Sequence, residues 1–252
     1  MRGLVVLGLL YLGLQFLGLR APSPVISPPA PPGRAEALAR SATNRFVARA
    51  LGSTEDTWTA LFAERGQRHP MPSLVPFDGQ VNSACGLAQS VLGPFHCPAD
   101  RKVRLDTGLF DELARRFGAP GACAAAYAIA HEVGHHVQNV LGILEASERL
   151  KARASRVEAN RIQVRVELQA DCLAGVWASR NRDLLDEGDF AEGVRAAQAI
   201  GDDVLMAAAG RRVVPDAFTH GSAERRVRWP SVGVREGRIE ACDTFAVPDA
   251  RL

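Results

Sequence analysis

His131, Glu132 and His135 stand in the stretch AHEVGHHVQN, Ala130 to Asn139, which gathers three of the chain's six histidines among otherwise small or apolar residues. Residues four apart lie on one face of a helix, a turn from each other, so the two imidazoles can reach a single metal ion. Glu132, one residue round, points beside the coordination position where water would sit, and can take that water's proton as it attacks a carbonyl. The competing reading is a histidine-rich turn of an ordinary core helix, whose imidazoles only satisfy hydrogen bonds. Gly134 bears on the choice. A glycine inside a helix costs about 1 kcal/mol relative to alanine, which makes sense if something approaches the backbone closely there. His136, about 100° round from His135, reads as a residue that supports a ligand from behind or only holds the structure.

A catalytic zinc takes three protein ligands and keeps a fourth position for water, so a third ligand is required. The stretch VELQADCLAGVW, Val166 to Trp177, carries Glu167 and Asp171 four apart on a second helix, in surroundings too apolar for two solvated carboxylates. Glu167 would complete a His-His-Glu set, while Asp171 could accept the far N–H of a liganding imidazole and fix its tautomer. Cys172 and His220 are the other possible ligands. Cys172 lies about 100° from Asp171 on that helix and, in an exported chain, suits half of a disulfide better. His220, in the loop FTHGS, could instead donate a hydrogen bond to the oxyanion of a tetrahedral intermediate.

These residues need helices to position them. Ala124 to Ala130 is strongly helix-forming, and its apolar face continues through Val137, Val140 and Leu141. Upstream, Ala35 to Leu51 and Thr54 to Arg65 read as two amphipathic helices, the second capped by Ser53 or Thr54. Between Met71 and Asp106, Pro and Gly punctuate short apolar pieces, predicting loops and a few short strands, of which Lys102 to Asp106 is the best candidate. Thr107 to Phe117 predicts a helix, Ala122 to about Gly210 three or four more, and a short one begins near Ser222. The fold class is mainly α with a small β element. The expected cleft lies between the His131 helix and the strand near Lys102, whose edge could pair with an extended peptide.

With 252 residues, 47% of them hydrophobic, the chain can bury a substantial core. Thirty Lys plus Arg face 28 Asp plus Glu and are scattered, a net charge of +2 that leaves no footprint for nucleic acid. After Arg2, GLVVLGLLYLGLQFLGL (Gly3 to Leu19) is uncharged and nearly long enough to cross a bilayer. Pro22 and Pro24 crowd the place where a signal peptidase would cut, so an uncleaved anchor is expected over residues 1–20. A Pro-rich spacer follows over 21–33, and a folded domain over 34–252 outside the cytoplasm, either on the cell membrane as a single-pass protein or secreted if the segment is cleaved. The five cysteines fit export, four of them able to pair.

Taken together, CG at Cys85, GPFHCPAD at Gly93, RFGAPG at Arg116, AHEVGHHVQ at Ala130, ELQADCLAGVWA at Glu167, IGDD at Ile200, FTHGSAERRVRW at Phe218 and CDTF at Cys242 resemble the neutral zinc metallopeptidases of bacteria, over roughly Thr54 to Phe245. The resemblance implies a zincin-like domain with a zinc ion on His131, His135 and Glu167, Glu132 as general base and Asp171 behind the ligands. It also implies disulfides Cys85 to Cys97 and Cys172 to Cys242, with Cys123 outside both pairs. The expectation is therefore a zinc endopeptidase acting on a peptide or protein substrate, joined to the membrane by its N-terminal segment. Two rivals share the ligands: a zinc-containing envelope binding or assembly protein without turnover, and a hydrolase of small amides. Glu132 speaks against the first, because a purely structural site needs a fourth ligand rather than a base.

Overall fold

The computed structural model describes residues 34–77, 79–89, 94–106, 121–185 and 187–252. The expected membrane segment, the Pro-rich spacer and the helix expected over Thr107 to Phe117 lie outside them. Among the described residues no helix is long and apolar enough to cross a membrane.

The chain enters through one long helix, α1 (Arg34–Glu64), where two were expected. Ser53 and Thr54 do not cap a new start: their hydroxyls bond back to the carbonyls of Ala50 and Leu51, each at 2.7 Å, and the helix runs through. Trp58, Leu61 and Phe62 anchor its second half in the core.

Five short strands follow, β1 (Ser73–Phe77), β2 (Gln80–Ser83), β3 (Gly86–Gln89), β4 (Phe95–Cys97) and β5 (Lys102–Asp106). β2 and β3 form an antiparallel hairpin, while β1, β5 and β4 form a sheet in that order. Here the structure corrects the expected cleft. β5 pairs in parallel with β1 along its whole length and antiparallel with β4 over Lys102 to Arg104, so it is a central strand whose edge is largely taken and not the open edge expected for a peptide. Among the described residues β1 and β4 are the edge strands, and β4, like β5, packs against the His131 helix.

The remaining helices are α2 (Gly121–Val140), α3 (Ile143–Lys151), α4 (Arg156–Ser179), α5 (Glu187–Ala199), α6 (Asp202–Ala208) and α7 (Ala223–Glu236). Five of them fall before Gly210, more than expected, because local breaks divide the run. Gly142 turns left-handed at φ 75° between α2 and α3, and Ser155 starts α4 with a capping box completed by Glu158.

Glycines let three helices cross at backbone contact. A Cβ on Gly134 of α2 would lie 3.0 Å from the Ala170 carbonyl oxygen of α4, which is the close approach its sequence position suggested. A Cβ on Gly175 would meet the Pro230 carbonyl oxygen at 2.1 Å, and one on Gly233 the Cys172 carbonyl oxygen at 2.0 Å, so α4 and α7 interlock through reciprocal notches. The Cys172–Cys242 disulfide ties α4 to the short turn that follows α7 (Ile239–Cys242), and Cys85–Cys97 ties the β2–β3 turn to β4. Ile129, Val133 and Val137 of α2 and Leu168, Leu173 and Val176 of α4 fill the shared core. Two such bridges mark the domain as extracytoplasmic, because the cytoplasm keeps thiols reduced.

Candidate metal centre

The α2–α4 crossing brings His131, His135 and Glu167 together, one ligand atom from each lying within 4.8 Å of the others. Glu167 Oε2 stands 3.4 Å from His131 Nε2 and 3.5 Å from His135 Nε2, beyond the usual 2.7–3.2 Å range of a hydrogen bond. All three atoms are buried, and among the described residues none has a hydrogen-bond partner. Every other polar atom of these side chains is engaged. His131 Nδ1 donates to Asp171 Oδ1 at 2.7 Å, His135 Nδ1 to Gln138 Oε1 at 2.8 Å, and Gln163 Nε2 donates to Glu167 Oε1 at 2.7 Å.

The hydrogen bonds behind the imidazoles decide what faces the centre. Gln138 Nε2 donates to both Val166 O (2.8 Å) and Gln169 Oε1 (2.9 Å), so its amide has one sensible orientation and Oε1 must accept from His135. Asp171 accepts from His131 in the same way. Both Nδ1 atoms therefore carry the proton, and both Nε2 lone pairs point at a carboxylate oxygen. Buried negative density meeting negative density is unfavourable unless a cation lies between them. Bonds of about 2.0–2.2 Å at the tetrahedral angle separate neighbouring ligand atoms by about 3.4 Å, the spacing of Glu167 Oε2 from each imidazole nitrogen, so these donors suit a zinc ion.

Asp171 is the hub behind the centre. Besides His131 it accepts from Tyr127 Oη at 2.5 Å and from Arg226 twice, Nε to Oδ2 and Nη2 to Oδ1, each at 3.0 Å. Burial opposes its charge, but Arg226 and His131 hold its carboxyl well below the usual carboxylate range. Burial likewise works against a charged His131, but Asp171, with Glu167 and Glu132, more than reverses this and lifts the imidazole to about 10, so a proton on Nε2 competes with a metal ion for the place beside Glu167. Such basicity strengthens the Nε2 lone pair toward a metal as it does toward a proton. Glu167 is opposed by burial too, yet His220 and His135 hold it well below the usual range.

Glu132 lies beside the cluster, 4% exposed, with Oε2 unpartnered among the described residues and a hydrogen bond from the His96 main chain of β4. Burial, opposed by His135 and His131, pushes its carboxyl up to about 7. His220 also approaches the cluster. Its Nδ1 rests 3.0 Å from Thr219 Oγ1, and its Nε2, without a partner among the described residues, lies 4.0 Å from Glu167 Oε2.

His136 faces elsewhere. Its Nε2 donates to Pro70 O at 2.5 Å and its Nδ1 lies 3.4 Å from His96 Nε2, so it binds α2 to β4 and to the segment after α1, and touches none of the three clustered side chains. Cys172 is committed to its disulfide and drops out as a ligand. Cys123 joins no disulfide, and its thiol donates to Asp189 Oδ1 at 3.1 Å. Sequence reasoning missed Tyr127, Gln138, Gln163 and Arg226. The first three carry a readable signal, standing four before His131, three after His135 and four before Glu167 on the same helical faces. Arg226 has none, since only the fold brings it to Asp171.

Comparison with known proteins bears on this donor set. Residues 4–245 match the family described as "Putative neutral zinc metallopeptidase". The chain is 45% identical over 203 residues to Uncharacterized protein YpfJ of Escherichia coli K12, an alignment spanning 80% of this chain and 71% of that protein. It is 37% identical over 219 residues to Uncharacterized protein Rv2575 of Mycobacterium tuberculosis H37Rv, spanning 82% and 73%. No solved structure matches. A match over nearly the whole chain and an inward-facing His-His-Glu cluster agree: this chain belongs to the neutral zinc metallopeptidase family.

Proposed function

We propose that the protein is a zincin-like zinc endopeptidase of the cell envelope, its domain from residue 34 onward held outside the membrane by the N-terminal segment. The observation that carries this reading is the convergence of two imidazole nitrogens and a carboxylate oxygen, all buried and unpartnered among the described residues, beside Glu132, whose Oε2 is likewise without a partner among them. His131, His135 and Glu167 would hold the zinc, which supplies Lewis acidity to the scissile carbonyl and to water. Glu132 takes the proton from the attacking water and returns it to the leaving amine. His220 meets the carbonyl oxygen as it gains charge. Thr219 Oγ1 beside Nδ1 can donate its hydroxyl proton there, which leaves Nε2–H to donate into the site. Asp171 and Gln138 keep both ligand imidazoles in the metal-binding tautomer. An extended substrate would lie along β4, an edge strand among the described residues whose His96 main chain already reaches Glu132.

A second reading has one observation in its favour. His220 Nε2 lies 4.0 Å from Glu167 Oε2, so a small shift would make it a fourth ligand and close the site, as in an envelope binding or assembly protein without turnover. Zinc content and cleavage of an unstructured protein, compared for wild type, Glu132→Gln and His220→Ala, separate the two. Equal zinc in all three, with hydrolysis in wild type and a loss of about 10²-fold or more in Glu132→Gln, supports the peptidase. Zinc lost in His220→Ala, with no hydrolysis in wild type, refutes it.

A further inference from the structure

The word IGDD at Ile200 has no part in the metal centre, yet the fold brings it against the His220 loop. Asp202 opens α6 and is 6% exposed. Its Oδ2 accepts three successive main-chain N–H groups, from Thr219 at 2.8 Å, His220 at 2.7 Å and Gly221 at 2.9 Å. In return the Asp202 N–H donates to Gly221 O at 2.9 Å. Asp203 Oδ1 takes the N–H of Ala223, the first residue of α7, at 2.8 Å.

Both neighbouring glycines belong to the same contact. A Cβ on Gly201 would lie 2.4 Å from Ala223 N, so only glycine admits the α7 start this close. Gly221 turns left-handed at φ +97°, as the chain must to bend three N–H groups around one oxygen. An ionised carboxylate is the group that suits three donors, since charge-assisted bonds are roughly twice as strong as neutral ones. An asparagine oxygen there would accept more weakly.

Three consecutive peptide planes held on one atom fix where the His220 side chain leaves the backbone. Thr219 Oγ1 then sets the ring, and Nε2 ends beside Glu167. We infer that Asp202 is a positioning residue that acts through His220, holding the Thr219–Gly221 turn in the shape that aims Nε2 into the site. This rests on the preceding reading only in that His220 works on a substrate.

The test has two parts. Amide hydrogen exchange is measured on wild type and Asp202→Asn, independently of any hydrolysis. Exchange at Thr219, His220 and Gly221 should rise at least about tenfold in the variant, with the α2 amides around His131 unchanged. Unaltered exchange at the three amides overturns the proposal whether or not the protein cleaves anything. In the zinc-loaded protein, kcat and KM are then compared for Asp202→Asn, His220→Ala and the double variant. Zinc content should stay equal, and kcat should fall by about tenfold to a hundredfold in Asp202→Asn with KM nearly unchanged, because a displaced catalytic group costs rate rather than binding. The double variant should match His220→Ala alone. Fold-losses that multiply, or zinc lost on changing Asp202, overturn the inference. Should Asp202→Asn not fold, Gly221→Ala disturbs the same turn from its other side and should show the same lack of additivity with His220→Ala. A wild type that hydrolyses nothing refutes the peptidase reading, and exchange alone then decides the clamp.

Discussion

Replacing Gln138 with methionine, close to it in size, asks whether His135 needs its partner. Gln138 is fully buried between α2 and α4 and makes three hydrogen bonds, from His135 Nδ1 and to Val166 O and Gln169 Oε1. At about 1 kcal/mol for each neutral bond, losing them lowers stability by about 3 kcal/mol, or about 6–12 °C in Tm for a domain of this size. The effect on metal is separate. With Oε1 gone, His135 can move its proton to Nε2 or rotate, and loss of such a partner weakens zinc by about tenfold to a hundredfold. Competition with a chromophoric chelator measures the affinity, and melting of zinc-loaded and zinc-stripped protein measures the stability. A variant that melts early yet binds zinc within about twofold of wild type would show that packing alone orients His135, and would refute the tautomer argument.

Arg226→Met leaves the buried Asp171 carboxylate with only His131 and Tyr127, and should cost about 3–5 kcal/mol in urea unfolding as well as weakening zinc. An unchanged urea midpoint would mean that the ion pair is dispensable. Gly233→Ala drives a Cβ to within 2.0 Å of the Cys172 carbonyl oxygen and should destabilise by more than about 3 kcal/mol, whereas Gly52→Ala in α1, with nothing within 4 Å, should gain about 0.5–1 kcal/mol. Similar melting of the two variants would contradict the backbone-contact account of the α4–α7 crossing. Replacing Cys172 and Cys242 with alanine opens a loop spanning 70 residues and should cost about 4 kcal/mol. It should also loosen zinc, because Gln169, which orients Gln138, donates to Cys242 O at 3.0 Å. Zinc affinity unaltered in that variant would break the link between bridge and centre.

The sequence by itself determined the parts of the centre that repeat along a helix. His131 and His135 on one face, Glu132 beside them, and Glu167 and Asp171 on the next helix all follow from spacing that the α-helix turns directly into geometry. Gly134 was legible for the same reason, as a residue whose local cost implied a close neighbour. The Ser53–Thr54 break in α1 misled, because hydroxyls that cap a helix in isolation also bond back within a longer one when the core supports it. Only the tertiary structure decided that β5 lies between β1 and β4 rather than at an edge, since strand order depends on which segments meet and not on either segment's pattern. It alone joined Arg226 to Asp171 and Asp202 to the His220 turn, pairs far apart in the chain. Their attraction is a matter of distance and burial in three dimensions, and no periodicity along one element encodes it.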